Sequence, residues 1–106
     1  MITFDQFKQV ELRIAKILSA EPVADSDKLL RLRVSTGDEE RQIIAGIGKR
    51  YQPEELAGRE IVIVANLEPR DIMGLESRGM LLAADSPDGP VLLQPDREAL
   101  PGSMIK

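Results

Sequence analysis

The stretch Ile61–Ala84, IVIVANLEPRDIMGLESRGMLLAA, governs the architecture of this 106-residue chain. Ile61-Val62-Ile63-Val64 is a β-branched run, which favours a buried strand. Met80-Leu81-Leu82-Ala83-Ala84 is a second apolar run. Thirteen residues, Leu67 to Gly79, lie between them. Connections inside compact domains have a median of about 4–6 residues, and structureless ones beyond about 12–15 are usually functional or disordered. Leu67, Ile72, Met73 and Leu75 argue against disorder, so part of this loop is expected to pack. Pro69 stiffens its start, and Gly74 and Gly79 permit sharp turns. Asn66, Arg70, Ser77 and Arg78 can hydrogen-bond, while Met73 and Met80 offer soft apolar surface. That mixture suits a ligand with both phosphates and flat bases. An Ω-like surface loop with Met73 and Leu75 tucked into the core fits the same composition equally well.

The length predicts one domain, with enough chain for one core. Aromatic content is 3% against 42% hydrophobic residues, so the core must be aliphatic. No apolar run reaches the roughly 18 residues of a membrane span. The start, MITFDQF, lacks the basic and apolar segments of a signal peptide. Cysteine and histidine are absent, which removes disulfides, thiol and imidazole catalysis and any Cys/His zinc site. No metal or cofactor is expected, and the chain is compatible with the cytoplasm, the expected compartment. The net charge of −4 opposes indiscriminate nucleic-acid binding. Residues 1–50 carry nine Lys/Arg against eight Asp/Glu; residues 51–106 carry five against ten. An anionic ligand must therefore use a local patch.

Thr3-Phe4-Asp5-Gln6 has the spacing of a capping box, opening a short helix with Phe4 and Phe7 on one face. Those rings are placed either to close the bottom of a core or to meet a second subunit. Glu11–Ala20 reads as a strand with Leu12, Ile14 and Leu18 on one face and Arg13, Ala15 and Ile17 on the other. Glu21-Pro22 is expected to end regular pairing, because proline offers no donor. Ala24-Asp25-Ser26-Asp27 is turn composition. In Lys28–Ser35, Leu30, Leu32 and Val34 alternate with Leu29, Arg31 and Arg33. Thr36–Glu40 connects to a third strand, Arg41–Ala45. Arg31, Arg33 and Arg41 form either a basic stripe or, as favoured here, solvated charges opposite Asp and Glu. Gly46-Ile47-Gly48-Lys49-Arg50 is not a phosphate loop: that pattern needs Gly where Ile43 stands and Ser or Thr where Arg50 stands. Gln52–Gly58 predicts one helical turn, with Pro53 at its first position and Gly58 at its exit. Ser86–Pro90 turns into Val91-Leu92-Leu93, and the tail ends in apolar Met104 and Ile105, which cover the core or a dimer seam.

Five strands with a short helix between the third and fourth match an all-β OB-fold, a five-stranded Greek-key barrel, flanked here by N- and C-terminal extensions. Its fourth-to-fifth loop and second and third strands bind oligonucleotides. Leu67–Gly79 falls in that loop position. An SH3-like barrel or a small sandwich explains the helix position less economically.

A longer series of residues carries a resemblance. Phe4-Asp5-Gln6-Phe7, Val10-Glu11-Leu12-Arg13-Ile14-Ala15, Ser26-Asp27-Lys28-Leu29-Leu30, Ala45-Gly46-Ile47 and Tyr51–Leu56 occur in order. Val64–Arg70, Met73–Met80 and Pro101-Gly102-Ser103 follow. Almost end to end, the chain resembles the C-terminal tRNA-binding domain of bacterial methionyl-tRNA synthetase. It is also similar to free-standing tRNA-binding proteins and to the domain of endothelial monocyte-activating polypeptide. The resemblance implies an OB-fold without catalysis of its own, binding the outer corner of tRNA by shape, to the benefit of a synthetase catalytic domain. It also implies a homodimer joined through the terminal extensions. Carried over by position, the RNA contacts are Lys28, Asn66, Arg70, Met73, Ser77, Arg78 and Met80. Lys28 and Arg70 would meet phosphates, Asn66 and Ser77 sugar or base edges, and Met73 a base. Two positions depart: Asp71 stands where relatives often place a basic residue, and Arg78 where they often place Gln or Glu. A competing implication is an export-related chaperone that binds unfolded peptides through Met73, Leu75 and Met80. An enzyme is disfavoured, since Glu39-Glu40 and Glu54-Glu55 lie in turn and helix-start contexts.

Overall fold

A computed structural model describes all 106 residues. Helix α1 (Phe4–Lys8) carries the expected capping box: Gln6 N–H donates to Thr3 Oγ1 at 3.1 Å, and Thr3 N–H donates to Gln6 Oε1 at 2.8 Å. A meander follows, of β1 (Leu12–Pro22), β2 (Leu30–Ser35) and β3 (Glu40–Ala45). One turn of 3-10 helix at Pro53–Glu55 leads into β4 (Glu60–Val64). Next come β5 (Arg70–Ile72), β6 (Leu75–Ser77), β7 (Met80–Leu81), β8 (Ala83–Ser86), β9 (Gly89–Leu92) and β10 (Met104–Ile105). The main sheet runs β3-β2-β1-β4-β7, with β10 beside the start of β1.

The sheet curls so that β3 meets the β6–β7 segment. There the barrel closes through isolated bonds, not a ladder. Arg78 N–H donates to the Gln42 carbonyl at 2.8 Å, and Ile44 N–H to Ser77 Oγ at 3.0 Å. The result is the nearly closed, five-stranded barrel of an OB-fold.

Burial follows the alternation in β2: Leu30, Leu32 and Val34 face inward. They meet Ala15, Ile17, Ile43, Ile61 and Ile63 in one aliphatic cluster. Each large side chain buried there contributes about 1.5–3 kcal/mol. Tyr51 packs at the rim, and its hydroxyl accepts the Leu92 N–H at 3.1 Å.

The two faces of β1 fall as expected: Ala15 and Ile17 enter the core, while Ile14 and Leu18 share the outer face, before the register shifts between Ile17 and Ser19. On that outer face Leu18 is exposed and Ile14 is buried beneath the C-terminal segment. The Ile14 N–H donates to the Ser103 carbonyl at 2.9 Å, and its carbonyl accepts Gly102 N–H at 2.7 Å. Three expectations need correction. First, β1 pairs as far as Pro22 opposite Leu30. Proline lacks only the donor, and its carbonyl side still fits an edge position. Second, Phe4 is 73% exposed and Phe7 40%, so neither ring closes the core. Third, the run Met80–Ala84 is not one strand. β7 pairs with β4, whereas β8 pairs with β9 in a separate hairpin.

Candidate nucleic-acid interface

The Leu67–Gly79 connection is structured. Within it β5 and β6 pair in the register Arg70↔Ser77, Asp71↔Glu76 and Ile72↔Leu75. Its two tip residues both have positive φ, +52° at Met73 and +82° at Gly74. A two-residue turn of the primed type requires that sign at both positions, because only then does its twist match the strands. Glycine meets the requirement freely, whereas methionine adopts it at a cost. Asp71 secures the turn, one carboxylate oxygen accepting the Gly74 N–H at 2.8 Å.

The root of the hairpin is held by β3. Besides the two closing bonds, the Gln42 side-chain amide donates to the Glu76 carbonyl at 2.9 Å. Ser77 is only 4% exposed, and its hydroxyl also donates to the Gly79 carbonyl at 3.3 Å. It therefore holds the hairpin on the barrel and does not face outward, contrary to the role carried over for it. Asn66 is similarly occupied. Its Oδ1 accepts the Glu11 N–H at 2.9 Å, and its Nδ2 donates to the Gln9 carbonyl at 2.8 Å. Both ends of the amide thus latch the N-terminal segment to the start of the loop.

Opposite the hairpin tip lies the β1–β2 connector. Ser26 Oγ accepts the Leu29 N–H at 3.1 Å, closing that turn. Gly48 donates its N–H to the Lys28 carbonyl at 2.7 Å, and a Cβ at Gly48 would sit only 3.0 Å from that oxygen. Gly48 of the rejected phosphate loop thus pins the backbone of Lys28, whose side chain is exposed. Between connector and hairpin runs a groove of about 430 Å³, with Val23, Asp25, Glu21 and Arg31 on one side and Met73 and Leu75 on the other.

Charge pairing separates the cations. Seven of the fourteen Lys/Arg side chains form ion pairs. The strand arginines are among them: Arg31 with Glu21, Arg33 with Glu40 and Arg41 with Glu39. These arginines are thus charges paired with Glu, the reading favoured above, and not a free basic stripe. Lys8 lies over the Phe4 ring, and Arg50 donates to the Asp88 carbonyl. Lys16, Lys28, Arg70, Arg78 and Lys106 make no side-chain bond or ion pair. Three of these five, Lys28, Arg70 and Arg78, belong to the connector and the hairpin. Met73, at the hairpin tip, is 55% exposed, and Met80, on β7, is 45% exposed. Sequence reasoning missed Gln42, which roots the hairpin, and Val23 and Asp25, which line the groove. Only Asp25 carried a signal, its turn composition. No cluster of three or more metal-ligating side chains is present, and no helix is long and apolar enough to cross a membrane.

A family profile described as "Putative tRNA binding domain" matches residues 12–104. The chain belongs to this family. It is 58% identical to the methionine–tRNA ligase of Methanothrix thermoacetophila over 100% of its own length, and 57% identical to that of Thermotoga maritima over 98%. It spans 16% of the length of each of these relatives. Among solved structures, a MetRS-related protein from Pyrococcus horikoshii matches with a TM-score of 0.93 at 34% identity, over 100% of this chain and 98% of that one. The chaperone CsaA from Bacillus anthracis matches with a TM-score of 0.91, also at 34% identity, over 100% and 99%. This domain is homologous to the tRNA-binding domain at the C-terminus of methionyl-tRNA synthetase.

Proposed function

We propose that the chain binds tRNA through the face formed by the β5–β6 hairpin and the β1–β2 connector, as a non-catalytic module acting in the cytoplasm. The observation that carries this reading is the placement of unpaired cations. Lys28 on the connector, Arg70 on the hairpin and Arg78 just beyond it make no ion pair, while the arginines of the barrel wall are paired with carboxylates. Lys28, Arg70 and Arg78 meet phosphates, and Met73 and Met80 lie against bases or sugars. Asn66 and Ser77 act by holding the hairpin in place. Joined to a synthetase catalytic domain, the module raises tRNA affinity by supplying a second contact at high local concentration. Gel shifts with bulk tRNA at low and moderate salt, with duplex DNA as competitor, test the reading. Salt-sensitive retention that DNA does not compete away is expected. Absence of any shift at low salt would sink it.

The module works as a homodimer. Phe4, Phe7 and Val10 are exposed at one end of the chain, and Met104 lies exposed on the strand that pairs with the start of β1. Phe4→Asp or Ile105→Asp should shift the chain from dimer to monomer in sedimentation; a mutant that stays dimeric places the seam elsewhere.

The similarity to CsaA favours a second reading, in which Met73, Leu75 and Met80 hold an unfolded peptide. A hydrophobic peptide that competes with tRNA would support a shared surface. Peptide binding indifferent to mutation of these three residues would remove it.

A further inference from the structure

Only two non-glycine residues in the chain have positive φ, Asp25 at +66° and Met73 at +52°. They lie 48 positions apart in sequence and line the same groove. Residues held in sparsely populated backbone regions cost roughly 1–3 kcal/mol each and concentrate at ligand clamps. Both line a groove to which Val23 and Ala24 contribute apolar surface on one side and Met73 and Leu75 on the other. Its volume of about 430 Å³ falls in the range of small-ligand sites.

The polar groups in the groove are specific. Arg31 uses Nε and Nη2 on Glu21, which leaves Nη1 without a partner and fixes the plane of the guanidinium. The Asp25 carboxylate makes no hydrogen bond or ion pair. Of the two carboxylates that line the groove, Glu21 is spent on Arg31 and Asp25 is free, so a ligand with its own donors can bond it.

We infer that this groove takes one unstacked nucleobase, guanine, from a bound RNA. Met73 and Val23 supply the apolar faces between which the ring lies. Asp25 accepts from guanine N1–H and the exocyclic amino group, and Arg31 donates to O6 or N7. The other bases lack this donor and acceptor set: adenine and cytosine offer a carbonyl-free or inverted edge, and uracil offers a single donor. The inference builds on the RNA-binding function proposed above, adding the base it reads and the residues that read it.

The test uses the intact chain, isotopically labelled, and free mononucleotides. Titration with GMP should move the backbone amide resonances of Val23–Asp25 and Met73–Leu75. GMP should bind roughly tenfold tighter than AMP, CMP or UMP. Asp25→Asn, which keeps the side-chain shape and tolerates the left-handed conformation, should bring GMP down to the level of the others. Met73→Asn should weaken all four nucleotides without changing their order. In tRNA gel shifts, Asp25→Asn should lower affinity roughly tenfold, although it removes a negative charge. Equal binding of all four nucleotides, a silent groove, or tighter tRNA binding by Asp25→Asn would each overturn the inference. A wild-type chain that binds tRNA with a silent groove leaves the proposed function intact and removes the guanine site. Guanine-selective shifts in a chain that binds no tRNA do the reverse.

Discussion

The barrel wall and the β5–β6 hairpin are built by opposite means. In the wall, strands β1 to β4 pair over long registers, bury an aliphatic layer and neutralise their outward arginines with glutamates. The hairpin has three residues per strand, buries one residue and leaves Arg70, and Arg78 just beyond it, unpaired. Its position depends on a few directed bonds from Gln42, Ser77 and Arg78. Stability is therefore concentrated in the wall and ligand-facing charge in the hairpin. A mutation in one should leave the other's property almost untouched.

The hardest test of that separation is Leu32→Ala, in the centre of the core. It should cost about 2–5 kcal/mol of stability, visible in thermal melting, yet leave tRNA affinity unchanged well below the transition. Loss of affinity in the still-folded mutant would mean that the wall and the hairpin are coupled. The combined change Arg70→Ala and Arg78→Ala should do the opposite. Each removed charge-assisted contact lowers affinity by roughly tenfold at low salt, and the log–log salt slope should become shallower by about 1 per residue. The melting temperature should hold. Asn66→Ala is intermediate, because the amide joins the N-terminal segment to the root of the loop. It should cost about 1 kcal/mol in denaturant titration and weaken tRNA binding as well. Affinity loss without any stability loss would restore Asn66 to direct contact. Arg33→Ala should show the smallest effect, about 0–1 kcal/mol, with no change in the salt slope. A shallower slope would show that Arg33 abandons Glu40 for a phosphate.

Much of the wall was legible before the structure. Leu30, Leu32 and Val34 face inward as their alternation requires, and the Thr3–Gln6 box forms as its spacing predicts. The aliphatic core follows from the scarcity of aromatics. Reading failed at Pro22, where pairing continues to the strand end. It also left Leu67–Gly79 unresolved into strands. The three-residue segments Arg70–Ile72 and Leu75–Ser77 are too short to show a period of two, and Met73 is no usual residue for a primed turn. Of the candidate site residues, Lys28, Arg70, Arg78, Met73 and Met80 are exposed. Asn66 and Ser77 instead spend their polar atoms on backbone partners.

Local chemistry, written in the sequence, determined the strand-forming runs, the capping box, the aliphatic core and the family. Which cations remain free is a different kind of fact. Arg31 and Lys28 are three positions apart, yet one is bound to Glu21 and the other is not. Only the register of β1 against β2, which sets Glu21 opposite Arg31, decides between them. The same holds for the groove, since Asp25 and Met73 meet through barrel closure and not through any local pattern. Pairing and proximity are set by the approach of segments distant in sequence, so the tertiary structure alone could assign them.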